Sequence, residues 1–163
     1  MTNYYDKVKL FIDKNSHLLL PPEGISASNV LVEQLENELD IRFYGEYLQF
    51  IRNWGRILLP GFIDSYDAVY LWENKEIYWV INEAKYCWKK GLDRKLIPIL
   101  TIDGGEYYCL DPSIDGNQAV YRWDTHFNVL LDKLSDSLFE LIWREIEDRV
   151  IPNSIKDGRI VNL

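Results

Sequence analysis

Three apolar segments separated by turn-forming residues constrain the fold more than any other feature of the sequence. They read KLIPILTI, EYYCLD and AVYRWD, and their β-branched, aromatic and aliphatic residues are typical of strands. Asp103-Gly104-Gly105 lies between the first two segments and Asp115-Gly116-Asn117 between the second two, and both triplets favour hairpin turns. Residues 96–124 are therefore predicted to form a three-stranded antiparallel meander.

Helical patterns surround this meander in the sequence. Apolar residues at helical spacing predict an amphipathic helix over residues 3–14, and Ser26 or Ser28 can cap the next helix. Further helices are predicted over residues 44–55, 77–88 and 135–150, the last capped by Ser135 or Asp136, with a short strand over residues 57–59. This order predicts an α+β fold in which helices pack around an antiparallel sheet of about four to six strands.

The domain organisation follows from the same pattern, because no repeat or linker interrupts it. We expect one domain over residues 1–163, with its core at 25–148, the N-terminal helix at 3–14 and a short C-terminal tail at 151–163. No apolar run is long enough to span a membrane, and the N-terminus lacks the pattern of a signal peptide. A cytoplasmic location is therefore expected.

The formal net charge of −8 is concentrated in one part of the chain. Residues 103–148 contain eleven acidic residues but only three basic ones, Arg122, Lys133 and Arg144, whereas residues 1–102 contain 14 acidic and 12 basic residues. An acidic region of this kind repels nucleic acid and attracts a basic surface. Solubility alone also explains it, and the sequence leaves both explanations open.

The sequence offers little for metal or nucleophilic chemistry. Cys87 and Cys109 lie outside any CxxC pattern and are expected to be two packed thiols, a disulfide being the alternative in an exported protein. His17 and His126, the only histidines, are far apart in sequence, which disfavours a zinc site or a Ser–His–Asp triad. We expect neither a metal nor another cofactor.

Three segments resemble the SUKH superfamily, which includes the yeast cell-wall-synthesis regulator and many bacterial immunity proteins. LVEQLENELDIRFYGEYLQFIRNWG is similar to the family's acidic–aliphatic helix, short break and aromatic helix. LIPILTIDGGEYYCLD resembles its apolar strand, Asp-Gly-Gly turn and aromatic strand, and AVYRWD with the later SDSLFEL resembles its closing strand and C-terminal helix. The likeness covers residues 25–148. It departs from the family pattern at Phe43, where the family usually has proline, and at Arg56, where it has a second glycine.

The resemblance implies a bacterial cytoplasmic immunity protein that binds and neutralises a toxin, often a nuclease, without catalysing a reaction. A nuclease needs positive charge to hold its substrate, so the expected partner is a basic toxin domain. No nucleic acid or membrane partner is expected, and the chain is expected to be a monomer or a weak homodimer. The alternative on the same fold is a regulatory or scaffold domain that binds an endogenous protein. A small hydrolase that uses Asp103 or Asp111 is a third interpretation.

The carboxylates of the meander bear on the choice between binding and catalysis. Asp103 and Asp111 occupy turn positions, where Asp hydrogen-bonds its own backbone. Asp111 and Asp115 lack the remaining ligands of a calcium loop. We therefore predict no catalytic and no metal-binding residues. Acidic and aromatic side chains interleaved on an exposed sheet face instead suit a basic partner.

The residues predicted to contact that partner lie on the meander and just before the fourth helix, in a segment that borders a groove beside the meander in the family. They are Trp72, Glu73, Asp103, Glu106, Tyr108, Asp111, Trp123 and Asp124. Core packing is the alternative for each aromatic residue, Trp72 included. Glu106, Tyr108 and Leu110 share one face of their strand and Tyr107 and Cys109 the other, and the sequence leaves open which face meets solvent. The acidic face of the last helix, including Glu145, is expected to be solvated.

Overall fold

The computed structural model describes residues 3–103 and 105–163 and has the predicted α+β architecture. The helices are α1 (Tyr4–Lys14), α2 (Asn29–Leu39), α3 (Gly45–Asn53), α4 (Trp79–Lys89), α5 (Leu138–Glu145) and α6 (Ile151–Lys156), with a 3₁₀ turn at Ser16–Leu18 and a π-helical turn at Ile146–Val150. The strands are β1 (Glu23–Gly24), β2 (Arg56–Ile57), β3 (Tyr66–Asp67), β4 (Tyr70–Trp72), β5 (Lys75–Ile77), β6 (Ile97–Ile102), β7 (Glu106–Leu110), β8 (Val120–Asp124) and β9 (Val129–Ser135). Among these described elements, no helix is both long and apolar enough to cross a membrane.

Side-chain caps fix the starts of three helices. The Asn3 side chain accepts a hydrogen bond from Tyr5 N–H at α1, and Ser28, one of the two predicted candidates, accepts one from Leu31 N–H at α2. The cap of α5 is Ser137, which accepts from Glu140 N–H, so the prediction of Ser135 or Asp136 is wrong by one or two positions. Residues 151–156, expected in a tail, continue the C-terminal helical segment as α6.

The main sheet contains the predicted meander. In the described residues its strand order is β6-β7-β8-β9, and every neighbouring pair is antiparallel. The strands β6, β7 and β8 confirm the prediction, whereas β9 is an additional outer strand. The chain needs residues 111–119 to pass from β7 to β8, so Asp115-Gly116-Asn117 does not form a tight hairpin. The other predicted turn includes Gly104, which lies outside the described residues.

Two smaller sheets lie earlier in the chain. One has the order β1-β4-β5, and the other pairs β2 with β3. Glu73 and Asn74 link β4 to β5 with φ of 49° and 63°, the left-handed conformation of a two-residue hairpin turn. Trp72 and Glu73 therefore lie at the end of a hairpin that belongs to a different sheet from the meander.

The core shows that both faces of β7 are buried. Tyr108 and Leu110 join the larger apolar cluster, which contains side chains of α1, α2, α3 and α5. Tyr107 and Cys109 join a second cluster with Cys87 of α4, and both cysteines are free and buried, as predicted for packed thiols. The sequence left open which face of β7 meets solvent, and the answer is that helices and loops cover both.

Candidate functional site

The aromatic residues predicted for the interface do not form one exposed surface. Tyr108 and Trp123 are only 7% and 2% exposed, because Tyr108 packs in the larger cluster and Trp123 in the second one. Trp72 is 52% exposed, so it lies on the surface rather than in the core. Of the three aromatic residues predicted for the interface, Trp72 alone is exposed to solvent.

Arg122 is neutralised by two carboxylates on one side of the main sheet. Its guanidinium group lies 3.6 Å from Glu106 and 2.9 Å from Asp132, which are on the strands to either side of β8. The pairing of β7 with β8 also sets Glu106 opposite Asp124. Glu106 and Asp124 are therefore neighbours, as the meander implies, but Glu106 already has a cationic partner.

Two of the predicted carboxylates have local structural roles. Asp124 is buried and accepts hydrogen bonds from the N–H groups of His126 and Phe127, at 2.7 Å and 3.0 Å. Asp111 accepts from the N–H and hydroxyl of Ser113. Both interactions are Asx turns of the kind expected for Asp in connections. Asp111 therefore orders the connection between β7 and β8, and Asp124 orders the turn between β8 and β9.

The remaining carboxylates around the main sheet are exposed and dispersed. Asp103 lies at the turn before β7, and Asp115 lies in the connection before β8. Across residues 3–103 and 105–163, no group of three or more His, Cys, Asp or Glu side chains is arranged to hold a metal ion. The acidic residues of the meander thus form a charged rim and do not converge on one point.

The charges around the main sheet are unequally paired. Arg122 is bound as described above, and Lys133 Nζ pairs with Asp136 at 2.5 Å. By contrast, Asp103, Asp111 and Asp115 have no cationic group of the described chain within ion-pair distance. The basic side chains of β8 and β9 are neutralised by neighbouring carboxylates, whereas these three acidic side chains keep uncompensated negative charge on the loops of the main sheet.

A groove of about 480 Å³ lies beside this rim. The second cluster covers part of the sheet with α4 and the loop after it, and the groove is the part of that face which α4 leaves open. Trp123 and Leu130 are part of its lining, together with Ile114 and Asp111 from the connection between β7 and β8. We call this the sheet groove. It brings together Asp111 and Trp123, two residues that the sequence predicted for the interface.

A larger cavity of about 680 Å³ lies between the N-terminus of α1, the start of α3 and residues 115–117. Glu46 lines it but is buried, and its carboxylate accepts hydrogen bonds from Gln118 N–H at 2.9 Å and Leu138 N–H at 2.8 Å, and one from the Ser137 hydroxyl. A carboxylate at the N-terminus of α5 also interacts favourably with the helix dipole. Glu46 therefore joins α3, α5 and the β7–β8 connection. Nothing in the local sequence signals this role.

Glu145 contradicts the expectation of a solvated acidic face on the last helix. It is 7% exposed, and burial raises the pKa of its carboxyl to about 7, although Arg149 and Arg144 oppose the shift. Glu147 and Asp148, which follow it in the π-helical turn, are exposed as predicted. Helical spacing does place Glu145 on the buried stripe, four residues after Leu141 and three after Ile142, and the expectation followed its charge instead.

Comparison with known families covers most of the chain. The family model SUKH_5, described as SMI1-KNR4 cell-wall, matches residues 8–147. This range includes the main sheet, the sheet groove and the exposed hairpin of β4 and β5. No curated protein matches the sequence.

Proposed function

The chain belongs to the SUKH_5 family of SMI1-KNR4 cell-wall domains, and from this premise we propose that it is a bacterial immunity protein that neutralises a basic toxin by binding it. It acts in the cytoplasm as a stoichiometric inhibitor and not as an enzyme. The toxin is a nuclease-type domain, whose positive charge holds a polyanionic substrate. The chain competes with that substrate by presenting negative charge of its own.

The observation that carries this proposal is the unequal pairing of charges around the main sheet. Arg122 and Lys133 are bound by carboxylates, whereas Asp103, Asp111 and Asp115 have no such partner among the described residues. Unpaired acidic groups around an apolar surface speed the approach of a cationic protein and favour its correct orientation. Trp72 and Glu73 on the β4–β5 hairpin are proposed as additional contacts, because an exposed tryptophan is a frequent hot spot.

The proposal requires a toxin gene beside the gene of this chain, and titration against the toxin domain that it encodes is the test. The wild-type chain should abolish toxin activity at a one-to-one ratio and give no further turnover, because each molecule occupies one toxin. Protection at a much smaller ratio would mean that the chain modifies the toxin catalytically. An active toxin at every ratio would reject the immunity function.

Paired charge variants sharpen the test. Asp111→Lys with Asp115→Lys changes the net charge from −8 to −4 and should slow association by about tenfold and flatten its dependence on salt, since electrostatic steering sets the association rate. Glu33→Lys, on the exposed surface of α2, changes the charge of the chain in the same direction and should leave the rate close to that of the wild type after correction for net charge. If Glu33→Lys slowed association as much per unit of charge as the double variant, the effect would come from net charge alone and not from the position of Asp111 and Asp115.

A regulatory domain that binds an endogenous protein is the second candidate, and the cell-wall description of the family model favours it. A gene with no toxin gene beside it would support this function. The chain would then leave toxin domains active at every ratio. Both candidates share a surface that binds protein, and they differ in the identity of the partner.

A further inference from the structure

The outer strand of the main sheet carries apolar side chains that the described chain does not cover. In residues 3–103 and 105–163, β9 pairs with β8 alone, and Val129, Leu130 and Leu131 are 43%, 44% and 41% exposed. Phe127, in the turn before β9, is 80% exposed. We call Phe127, Val129, Leu130 and Leu131 the apolar edge. Consecutive exposed apolar residues on an edge strand favour association with another surface.

The two halves of β9 are protected differently. Asp132 and Lys133 place charges on its second half, and each already has a partner in Arg122 or Asp136. The first half has no charged side chain. A β-bulge between the positions opposite Arg122 and Trp123 also interrupts the regular pairing of β9. A partner can therefore bury the apolar side chains without adding a long regular strand to the sheet.

The sheet groove continues the apolar edge on one face of the sheet. Leu130 belongs to both, and Ile114, 47% exposed, forms the opposite wall of the groove. Trp123 lies in the lining and is held by the second cluster, so it is rigid support and not a mobile contact. This arrangement offers a recess for one apolar side chain of a partner, bordered by the exposed side chains of β9.

Acidic residues without a cationic partner lie at both ends of this surface. Asp111 lines the groove together with Ile114 at one end, and Asp115 follows Ile114 in sequence and lines the neighbouring cavity beside α3. At the other end, Gly105, two residues after Asp103, contacts the turn that carries Phe127, because Thr125 N–H donates to Gly105 O at 3.0 Å. An apolar centre with a polar rim is the usual anatomy of a protein interface. These three rim charges are negative, and the one lysine that lines the groove, Lys95 of the loop after α4, lies 3.8 Å from Asp93.

We propose that the apolar edge and the sheet groove form the docking surface for a basic protein. An apolar side chain of the partner occupies the groove beside Leu130, while lysine or arginine residues on either side of it meet Asp111 and Asp115 at one end and Asp103 at the other. This inference rests on the proposed function for the basic character of the partner, and it adds the surface and the mode of contact. A second copy of this chain fits less well, because it would bring the same acidic rim against itself.

Two synthetic peptides test the surface without the toxin. One carries leucine residues flanked by lysines, and the other has the same sequence with glutamate in place of lysine. Amide chemical shifts of the ¹⁵N-labelled chain should change at residues 127–131 and at Ile114 with the lysine peptide, and should not change with the glutamate peptide. Absence of shifts at millimolar peptide, shifts confined to another surface, or equal shifts with both peptides would overturn the proposal.

A matched pair of serine variants tests the apolar contribution. Leu130→Ser should weaken binding of the lysine peptide by about tenfold, the effect of losing one largely buried leucine at an interface. Val30→Ser removes a side chain that is 76% exposed on α2 and should leave the affinity unchanged. Sedimentation of both variants and the wild type shows whether a second copy of this chain occupies the surface instead. A wild-type dimer that Leu130→Ser dissociates would assign the apolar edge to that second copy and overturn the proposal.

Failure of the docking surface can be distinguished from failure of the proposed immunity function. If the wild-type chain neutralises the toxin and Leu130→Ser neutralises it with unchanged affinity, the docking surface is wrong and the immunity function stands. If the wild-type chain leaves the toxin active while the lysine peptide binds the apolar edge, the immunity function is wrong and the surface serves another basic protein.

Discussion

The two halves of the main sheet both contain apolar segments, but their surroundings differ. β6 and β7 are covered on both faces, and Ile97, Ile99, Leu100, Cys109 and Leu110 are 0% exposed. β8 and β9 form the outer half, where β8 still buries Val120 and Trp123 but Leu130 and Leu131 of β9 remain more than two-fifths exposed. The covered half contributes buried apolar area to stability, and the outer half leaves apolar area exposed to solvent. Apolar composition alone does not distinguish these two uses of a strand.

The largest expected effect comes from truncating one leucine in each half. Leu110→Ala should lower the free energy of unfolding by about 3 kcal/mol, because it leaves a cavity in a fully buried position. Leu130→Ala should lower it by no more than about 1 kcal/mol, because its side chain is half exposed. Urea denaturation of both variants measures the difference. Similar losses would show that β9 is part of the core and would remove the distinction between the halves.

A buried carboxyl beneath the covered half gives the next effect. Burial raises the pKa of Glu145 from 4.5 to about 7, so the folded state holds this proton more tightly than the unfolded state does. Its contribution to stability is full below pH 4.5, falls as the pH rises toward 7, and is lost above 7. Glu145→Gln cannot ionise, so at pH 8 it should be more stable than the wild type by up to about 3 kcal/mol.

Unfolding by urea at several pH values tests this expectation. The stabilisation by Glu145→Gln should grow between pH 4.5 and 7 and then stay constant. Glu147→Gln is the control, since Glu147 lies two residues further along and is exposed. A stability difference for Glu145→Gln that does not change with pH would mean that this carboxyl is not perturbed in the folded protein.

Asp124 should give an intermediate effect in the outer half. Asp124→Ala removes the acceptor for His126 N–H and Phe127 N–H and should lower the free energy of unfolding by about 1 kcal/mol. Asp124→Asn keeps an acceptor oxygen and should retain most of that energy. Hydrogen exchange of residues 125–128 should speed up in the alanine variant alone. Equal losses in both variants would assign the effect to charge and not to the hydrogen bonds.

Trp72→Ala should have the smallest effect on stability and tests how far the contact surface extends. Because the indole is more than half exposed on the β4–β5 hairpin, the unfolding free energy should change by less than about 0.5 kcal/mol. The free energy of binding to the toxin should become less favourable by about 2 kcal/mol, the usual effect of losing an interface tryptophan. Unchanged affinity in a binding titration would confine the interface to the outer half of the main sheet.

Local patterns in the sequence were enough to predict the elements but not their surroundings. The strands β6 to β8 and the helices α1 to α4 follow from periodicity and turn residues that lie within a few positions of one another. β9 was missed, because VLLDKLS lies between a strand and a predicted helix and has no glycine or proline on either side. The pairing of β9 with β8 depends on tertiary structure, and no short sequence pattern encodes it.

The sequence predicted which residue types lie on and around the main sheet, but it did not predict which of their side chains are exposed to solvent. Strand alternation places Tyr107 and Tyr108 on opposite faces, but only the packed structure shows that both faces are covered. Tyr108 and Trp123 were therefore expected at an interface and lie in the core. A hydrogen bond from Gln118 N–H to Glu46 joins residues 72 positions apart, a separation at which single-sequence reasoning has no information.

The packing of Cys87 and Cys109 in the second cluster has a consequence for chemistry at the thiol. Burial raises the pKa of Cys87 to about 12 and that of Cys109 well above its ordinary value, so neither group is a thiolate at neutral pH. Thiolate is the form that peroxides and alkylating reagents attack. The folded protein should therefore keep its activity under oxidative stress, and labelling of these sulfur atoms by such reagents reports transient opening of α4 from the sheet.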